Sequence, residues 1–372
     1  MKSNHFLIVL ASLLVAVWAC SDENPVAKDP ANDSNIDLLA QLYNLKKGYY
    51  FQDSSKVEPL VLLHFTDVHL YDKGMDAIKL FQEEYSCFID DVIHTGDFYD
   101  MGIIDNSLSH WDNNWLNVIG NHDAVTYDTS YHSVTPKVSY DTLFKPYIGN
   151  WGVTQPEDAE TNGYCYYYKD YSSNKVRLVV LDYNNADADA EKKHWNNTQK
   201  TWFEGVLAET LDSKNSAYGY HIVVAVHCPP FIVEQDLNNP FQDIDFFNSR
   251  SDTRPMFEPC PSQIPNTIKS FIQNGGKFAC WICGHTHVDF TGFNETYPGQ
   301  LCVCIPNLRP TNEQCSARIV GTKTEYCFNM MAVDTITSTI KVLRLGCDLD
   351  RYMRRKRSFS FDYRNNKFIT IN

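Results

Sequence analysis

The sequence has little positive charge, few charged residues overall and no long apolar segment. It has 372 residues, with 32 Lys and Arg against 46 Asp and Glu. The formal net charge of −14 argues against general nucleic-acid binding, because affinity for the phosphate backbone needs a basic surface. No solenoid, collagen or coiled-coil repeat is present. Aromatic residues make up 13% of the chain, which excludes a wholly disordered protein. An acidic globular protein remains.

The main apolar run lies near the amino terminus. It extends from Phe6 to Ala19, which is shorter than the about 20 residues of a membrane-spanning helix and typical of a secretory signal. The run ends at Cys20 and resembles a bacterial lipobox; an ordinary signal cut after Ala19 is the alternative. We therefore expect residues 1–20 to be a signal peptide and Cys20 to be lipidated. The expected product is an outer-membrane or cell-surface lipoprotein, anchored to the membrane only through its lipid, or otherwise a secreted or periplasmic protein.

The rest of the chain divides by composition. Residues 21–35 are rich in Asp, Asn and Pro and predict a flexible tether. Residues 36–59 predict an N-terminal helix, with leucines at helical spacing before Gly48, and a lead-in. Residues 60–345 predict a single large domain, and residues 346–372 a C-terminal extension.

Short apolar runs within the predicted domain end abruptly in polar clusters. Five of these runs predict buried strands: Leu60–Phe65, Phe88–Ile93, Trp115–Ile119, Ile222–Val226 and Phe278–Ile282. Three stretches predict crossover helices: Met75–Tyr85, Gln199–Thr210 and Ile264–Gln273. Residues 163–183 and 328–345 predict two β-hairpins. This pattern predicts an α/β fold, in which ligands bind beyond the carboxyl ends of the strands.

The polar clusters at these strand ends contain carboxylates, histidines and an amide. They are Asp67-x-His69, Gly96-Asp97, Gly120-Asn121-His122-Asp123, His227 and Gly284-His285-x-His287. Apart from His122 and Asp123, they supply two carboxylates, four imidazoles and one amide oxygen, a set that suits Mn, Fe or Zn better than Ca or Mg. Two metal ions about 3.5–4 Å apart can hold both the attacking and the leaving oxygen of a phosphoryl displacement.

In these motifs and their order, the sequence resembles the calcineurin-like metallophosphoesterase family over about residues 60–345. The resemblance implies a two-sheet β-sandwich flanked by helices, in four α/β/β/α layers. It also implies two divalent or trivalent metal ions (Mn, Fe or Zn) and a metal-bound hydroxide as the nucleophile. It assigns Asp67, His69 and His287 to one ion and Asn121, His227 and His285 to the other, with Asp97 bridging the two.

His122 is not a metal ligand in this assignment. We expect it to lie over the substrate phosphate, where it would stabilise negative charge or protonate the leaving alkoxide. Asp123 is expected to orient and charge the His122 imidazole. The alternative is that Asp123 caps the segment that follows it.

These residues predict an enzyme that hydrolyses phosphate esters. An exported enzyme would release phosphate for uptake, so a small phosphomonoester or nucleotide is the first substrate choice. A phosphodiesterase using the same site is the alternative, and a non-catalytic surface-binding lipoprotein is a second alternative, which loss of a ligand would favour. The negative net charge does not oppose a phosphate substrate, because two metal cations dominate the local field.

Several other chemically active side chains are predicted to be structural. His64, His94 and His221 lie in or beside predicted strands, where packing is commoner than ligation. Cys280 and Cys283 lie in an apolar strand and predict buried small hydrophobic residues rather than a zinc or redox pair.

For two segments, the sequence leaves two interpretations open. Residues 229–260 show little periodicity and predict either a rim that faces the substrate or a plain surface insertion. The basic run at residues 351–357 predicts a solvated turn, or else a contact with anionic lipid or substrate.

Overall fold

A computed structural model describes most of the predicted domain. The described residues are 57–69, 71–98, 114–124, 126–127, 133–135, 151–182, 197–233, 262–287, 289–308, 310, 318–347 and 358–369. All of them lie in the compact unit Gln52–Asn372. The predicted signal peptide, tether, N-terminal helix and basic run, and most of the 229–260 loop, lie outside the described residues. Within the described part of the chain, no helix has the length and apolar character needed to cross a membrane.

The described elements alternate between strands and short helices along most of the chain. In chain order they are β1 (Leu60–Phe65), α1 (Asp72–Glu84), β2 (Asp91–His94), β3 (Leu116–Asn117), α2 (Asn121–Ala124), β4 (Thr126–Tyr127), β5 (Ser133–Thr135), α3 (Ala159–Asn162), β6 (Tyr167–Tyr171), β7 (Val176–Val180), α4 (Asn197–Glu209), β8 (His221–Ala225), α5 (Gln263–Gln273), β9 (Lys277–Cys283), β10 (Phe290–Gly292), β11 (Cys302–Cys304), a 3-10 turn (Lys323–Glu325), β12 (Cys327–Asp334), β13 (Thr339–Gly346), β14 (Phe359–Asp362) and β15 (Lys367–Ile369).

Two mixed sheets form the centre of the fold. The first has seven strands in the order β15-β14-β13-β12-β1-β2-β3, and the second has six in the order β10-β11-β9-β8-β7-β6. Strands β1, β2 and β3 run parallel in the first sheet, as do β7, β8, β9 and β11 in the second. Parallel strands need cover on both faces, and every residue of β1, β7 and β8 is buried accordingly.

Helices cover the sheets. Helix α5 places Ile264, Ile268 and Phe271 on one face, at the spacing of an amphipathic helix, and these side chains share a buried cluster with Trp281 of β9. Residues of α4 join the same cluster. On the first sheet, α1 buries Met75 and Ile78, and its Phe81 ring contacts that of Phe328 in β12. The structure is the two-sheet α/β fold that the resemblance implied.

The predicted elements are present, with differences at their ends. Helix α1 begins at Asp72, three residues before the predicted start. Strand β2 begins at Asp91 rather than Phe88, because Phe88 lies in a turn in which its backbone N–H donates to the Tyr85 carbonyl. Strand β3 is only two residues long, since it lies at the edge of the sheet and pairs with β2 alone.

The first sheet does not end at the predicted domain boundary. Residues 346–372 were expected to form an extension, but β14 pairs with β13, and β15 pairs with β14. The side chains of Phe359 and Phe361 are buried, and both contact the ring of Phe368. The sheet therefore continues to Ile369, because these aromatic side chains complete its apolar cover.

The buried His221 makes the stability of the fold depend on pH. Burial, with help from Lys277 and Arg364, lowers the pKa of His221 to about 4, against an ordinary value of 6.5. The folded state therefore favours the neutral ring, and stability that is fully present above pH 6.5 is lost as the pH falls towards 4. We expect His221 to account for about 2–3 kcal/mol of lost unfolding free energy between pH 7 and pH 4.5.

Urea unfolding of the wild type and His221→Gln, both in EDTA at pH 7 and pH 4.5, measures this contribution. The variant loses the contact between His221 Nδ1 and the Tyr363 hydroxyl, 2.5 Å apart, at both pH values. Its unfolding free energy should nevertheless change less with pH than that of the wild type. An identical pH dependence in the two proteins would contradict the explanation.

Candidate metal centre

The parallel strands bring the polar clusters to one region of the fold. Asp67 and His69 follow β1, and Asp97 follows β2. Asn121 begins α2, just after β3. In the second sheet, His227 follows β8, and His285 follows β9. The Gly284 N–H donates to the His227 carbonyl over 2.9 Å, and the Asp67 N–H donates to the Gly96 carbonyl over 2.9 Å.

The first group of potential ligands consists of Asp67, His69, Asp97 and His287. The Nε2 atoms of His69 and His287 lie 2.9 Å apart, and His287 Nε2 lies 3.1 Å from Asp67 Oδ1. Metal bonds of about 2.1 Å at right angles separate two donor atoms by about 3 Å. The four side chains therefore have the spacing of atoms that could share one ion.

The second group consists of Asp97, His227 and His285, with the Asn121 amide beside them. The Asn121 Oδ1 atom lies 3.0 Å from His227 Nε2 and 2.9 Å from His285 Nδ1. The two imidazoles are also close to each other, with His285 Nδ1 3.2 Å from His227 Nε2. A second ion could be held here by two imidazoles, an amide oxygen and a carboxylate.

Asp97 belongs to both groups. Its side chain is 1% exposed, and its Oδ2 atom lies 3.3 Å from His227 Nε2. Its Oδ1 atom accepts the backbone N–H of His122 over 2.8 Å. The structure thus brings together all seven residues assigned as ligands from the sequence, in the two sets that the resemblance gave. Their role as ligands remains a prediction.

Five of these residues have unusual backbone conformations. Asp67, His69, Asp97, His285 and His287 have φ between 47° and 70°, in the left-handed region. The other non-glycine residues with positive φ in the described chain, Lys175, Ser338 and Asn366, lie in the turns of β-hairpins. Strained conformations cost free energy and persist where the surrounding structure enforces them, commonly at functional sites.

The glycines of the motifs allow the loops to approach each other closely. A Cβ atom at Gly284 would lie 1.9 Å from Thr66 Oγ1 and 2.6 Å from Asp67 Oδ2. A Cβ atom at Gly120 would lie 2.1 Å from Asp97 Oδ1. Any larger residue at either position would therefore push a carboxylate of the first group away from its place.

Replacing Gly284 by Ala should consequently damage the site. We expect the affinity for a metal ion such as Mn²⁺ to fall at least about tenfold, and the unfolding free energy to fall by about 1–3 kcal/mol. Equilibrium dialysis and urea unfolding measure the two effects.

Gly205 provides the matched control. It lies within helix α4, and a Cβ atom there would meet no atom within 4 Å. Gly205→Ala should keep wild-type metal affinity and gain about 0.5–1 kcal/mol from the better helix propensity of Ala. Unchanged metal affinity in Gly284→Ala would show that the close approach of the two loops is not needed.

The pKa values of both carboxylates in the site are lowered, whereas those of its imidazoles are shifted in opposite directions. Burial raises the pKa of Asp67 and Asp97, but neighbouring histidines outweigh burial and hold both pKa values below the ordinary range. Burial lowers the pKa of His227, but Asp97 outweighs it and raises this pKa to about 9. Asp67 likewise raises the pKa of His287 against the effect of burial. Burial and His227 lower the pKa of His285 to about 3. The buried carboxylates thus require positive charge beside them, which a metal cation could supply.

His122 lies beside the two groups and is more open than their centre. Its side chain is 15% exposed, and its Nε2 atom lies 3.8 Å from Asp97 Oδ2. Its ring meets that of His69 edge to face, with the centroids 5.0 Å apart. His122 is therefore close to the carboxylate common to both groups and partly exposed to solvent.

Three backbone N–H groups donate hydrogen bonds to the Asp123 carboxylate. Asp123 Oδ2 accepts the N–H groups of Asp97 and Gly120, each over 2.9 Å, and Oδ1 accepts that of Phe98 over 2.8 Å. Asp123 thus joins the loops after β2 and β3. Orientation of His122 by Asp123 remains a prediction, and the structure adds this backbone role to it.

Two threonines contact potential ligands and were not singled out from the sequence. Thr66 Oγ1 donates to Asp67 Oδ2 over 2.7 Å, and the Thr95 carbonyl lies 2.7 Å from His227 Nδ1. Such contacts fix the orientation of a ligand and, for His227, leave Nε2 to face the site. The sequence signal that could have identified the two threonines is their position directly before Asp67 and Gly96. His64, His94 and His221 are buried, as are Cys280 and Cys283, in agreement with their predicted packing roles.

The fold and the site together define the class of the protein. Two mixed sheets with flanking helices carry, beyond their strand ends, two groups of oxygen and nitrogen donors that share one aspartate, as in a metallophosphoesterase. A family model provides the identification. The chain belongs to the calcineurin-like phosphoesterase family, whose model matches residues 60–289.

Several solved structures are similar to this chain. A dimetal phosphatase from Danio rerio is 12% identical, covering 78% of this chain and 97% of its own, with a TM-score of 0.49. GAP50, the anchor in the inner membrane complex of Plasmodium, is 9% identical, covering 78% and 85%, with a TM-score of 0.42. A 5'-nucleotidase from Candida albicans is 13% identical, covering 82% and 52%, with a TM-score of 0.39. None of the curated proteins compared with the chain matches it.

Proposed function

We propose that this phosphoesterase is a dinuclear phosphatase that hydrolyses small phosphomonoesters or nucleotides. The observation that carries the proposal is the position of Asp97, whose carboxylate belongs to both groups of potential ligands. Asp67, His69 and His287 would hold one ion, and Asn121, His227 and His285 the other. When bound, the two ions would polarise the phosphoryl group and lower the pKa of the attacking water.

His122 would act on the substrate directly, and Asp123 would hold the loops around it. The Asp97 carboxylate accepts the backbone N–H of His122, so the position of His122 is fixed relative to the carboxylate that both groups share. Its partly exposed ring would contact the substrate phosphate, stabilise its negative charge and donate a proton to the leaving alkoxide. Asp123 would hold the loops after β2 and β3 in fixed positions relative to each other through its three backbone hydrogen bonds.

Hydrolysis of a monoester and a diester by the same preparation tests this function. Protein stripped with EDTA and reloaded with Mn²⁺, Zn²⁺ or Fe²⁺ should cleave para-nitrophenyl phosphate faster than the bis-ester, and stripped protein should cleave neither. Faster cleavage of the bis-ester would instead support a phosphodiesterase. Failure of metal-loaded protein to cleave either ester would contradict the enzymatic function and favour a binding lipoprotein.

We also propose that the chain is exported and anchored through a lipid on Cys20. The support is the apolar run from Phe6 to Ala19 and Cys20, which follows it directly. Metabolic labelling with a tagged fatty acid should mark the wild type, and Cys20→Ser should remain unlabelled. An unlabelled wild-type protein that is released without a lipid would contradict the anchor without affecting the proposed activity.

A further inference from the structure

A row of buried polar side chains crosses the first sheet from β13 to β1, the strand that Asp67 follows. Arg344 of β13 pairs with Asn329 of β12, and Asn329 pairs with His64 of β1, so the three side chains share one face of the sheet. Arg344 Nε donates to Asn329 Oδ1 over 2.7 Å. Charged and polar residues are rare in such an interior, so their presence needs a reason.

Arg344 connects the first sheet to the loop that carries His285 and His287. Its Nη2 atom donates to Asp289 Oδ1 over 2.6 Å, and its Nη1 atom lies 3.2 Å from Asp289 Oδ2. The two side chains are 2% and 6% exposed. Asp289 follows His287 by two residues and directly precedes β10 of the second sheet. The ion pair therefore joins the two sheets just beyond the last potential ligand.

The other end of the row reaches the second group of ligands. His64 Nε2 lies 2.9 Å from Thr95 Oγ1, and the Thr95 carbonyl lies 2.7 Å from His227 Nδ1. One end of the polar row, Arg344, thus contacts the His287 loop, and the other end, His64, reaches His227 through Thr95. Both ends support imidazoles that face the candidate centre.

The energetics favour a positioning role over simple stabilisation. A buried ion pair contributes little net stability, because desolvation of both charges offsets most of their attraction. The ion pair does, however, fix the orientation of its groups, because the planar guanidinium holds a carboxylate through two parallel hydrogen bonds. His285 and His287 both have positive φ, so their loop needs an external constraint to keep that conformation.

We propose that Arg344, acting through Asp289, is a positioning residue that holds the His285 and His287 imidazoles at their metal-binding spacing. The inference rests on the proposed function only in that the site binds metal ions. Without the ion pair, the His287 end of the loop would lose its contact to the first sheet, and the hydrogen bond from the His285 N–H to Asp67 Oδ2, 2.9 Å long, would be left at the other end. The ring nitrogen of His287 would then lose its fixed distance of 3.1 Å from Asp67 Oδ1.

The test compares two buried arginines. Arg344→Met removes the proposed contact, and Arg177→Met is the matched control. Arg177 is also buried and pairs with the carboxylates of Asp170 and Glu209, each over 2.7 Å. It pairs in the second sheet with Ile222 near the start of β8, whereas His227 follows the end of that strand. Both variants lose a buried cation, but only one loses a contact to a ligand loop.

Cobalt binding provides the readout, because the visible spectrum of Co²⁺ reports its ligands and their geometry. Arg344→Met should bind Co²⁺ about 10–100-fold more weakly than the wild type, with an altered spectrum. Arg177→Met should keep the wild-type affinity and spectrum even where urea unfolding shows a similar loss of stability. Arg344→Lys, which keeps the charge but loses the fork, should recover part of the affinity.

Asp289→Asn provides a second test of the same contact in case the Arg344→Met protein does not fold. It keeps the size of the side chain and one acceptor oxygen, and it should also weaken Co²⁺ binding. Wild-type cobalt affinity and spectrum in Arg344→Met or, if that protein does not fold, in Asp289→Asn would overturn the inference. A wild type that binds Co²⁺ but hydrolyses no ester would contradict the proposed function alone, and a wild type that binds no Co²⁺ would overturn both.

Discussion

Replacement of Asp97 by Asn should lower phosphate-ester hydrolysis by about a thousandfold or more and reduce the metal content of the protein. Asp97 is the one residue common to both groups of potential ligands, so its loss affects two ions at once. Metal ions supply several kcal/mol of transition-state stabilisation, and about 4 kcal/mol corresponds to a thousandfold in rate. The Asn side chain has nearly the same shape and keeps one oxygen, so the change removes charge rather than volume.

Asp91→Asn is the matched control for this substitution. Asp91 begins the strand that Asp97 follows, and its side chain is 9% exposed and lies 2.6 Å from Lys169 Nζ. This variant should lose stability without losing metal or activity. Metal content by plasma mass spectrometry and turnover of para-nitrophenyl phosphate should be measured on both variants. Equal activity losses in the two would indicate general destabilisation and contradict the role of Asp97.

Replacement of His122 by Ala should lower the rate by about 100- to 10,000-fold while leaving the metal content nearly unchanged. His122 is outside the two groups of potential ligands, but its Nε2 atom lies 3.8 Å from their common carboxylate and its side chain is partly exposed. General acid catalysis contributes an effect of this size. Loss of metal from His122→Ala would contradict its placement outside the ligand set.

The choice of leaving group separates the two possible roles of His122. If its ring protonates the leaving alkoxide, the loss should be larger for phenyl phosphate than for para-nitrophenyl phosphate, because para-nitrophenolate leaves readily without a proton. If the ring only stabilises charge on the phosphate, both substrates should lose rate equally. His122→Asn, which keeps a neutral donor, should recover activity only in the second case.

The sequence predicted the strand-end clusters well because their physical signal is local. Apolar runs such as Leu60–Phe65 are buried on both faces, and each stops where the chain must leave the sheet. Glycines at these points are required by close approach, as Gly284 shows against Thr66 and Asp67. The strand ends predicted where these side chains lie, and the family resemblance that the motifs carry assigned the seven potential ligands to one site.

Contacts between distant segments could not be predicted in the same way. Arg344 lies 55 residues from its partner Asp289, and nothing in the strand around it distinguishes a buried arginine from a solvated one. The role of Asp123 could not be predicted either, because two of its hydrogen bonds come from backbone groups of a different loop, at Asp97 and Phe98. The left-handed conformation of potential ligands such as His69 also results from tertiary packing, since non-glycine residues seldom adopt it.

The most direct test of the central claim is the activity of the wild-type protein as a function of bound metal. EDTA-stripped protein would be titrated with Mn²⁺, and hydrolysis of para-nitrophenyl phosphate would be followed against the number of ions bound per chain. The arrangement around Asp97 predicts two ions per chain and full activity only when both are bound. Binding of fewer than two ions at saturation, or full activity in the stripped protein, would contradict a dinuclear metal centre.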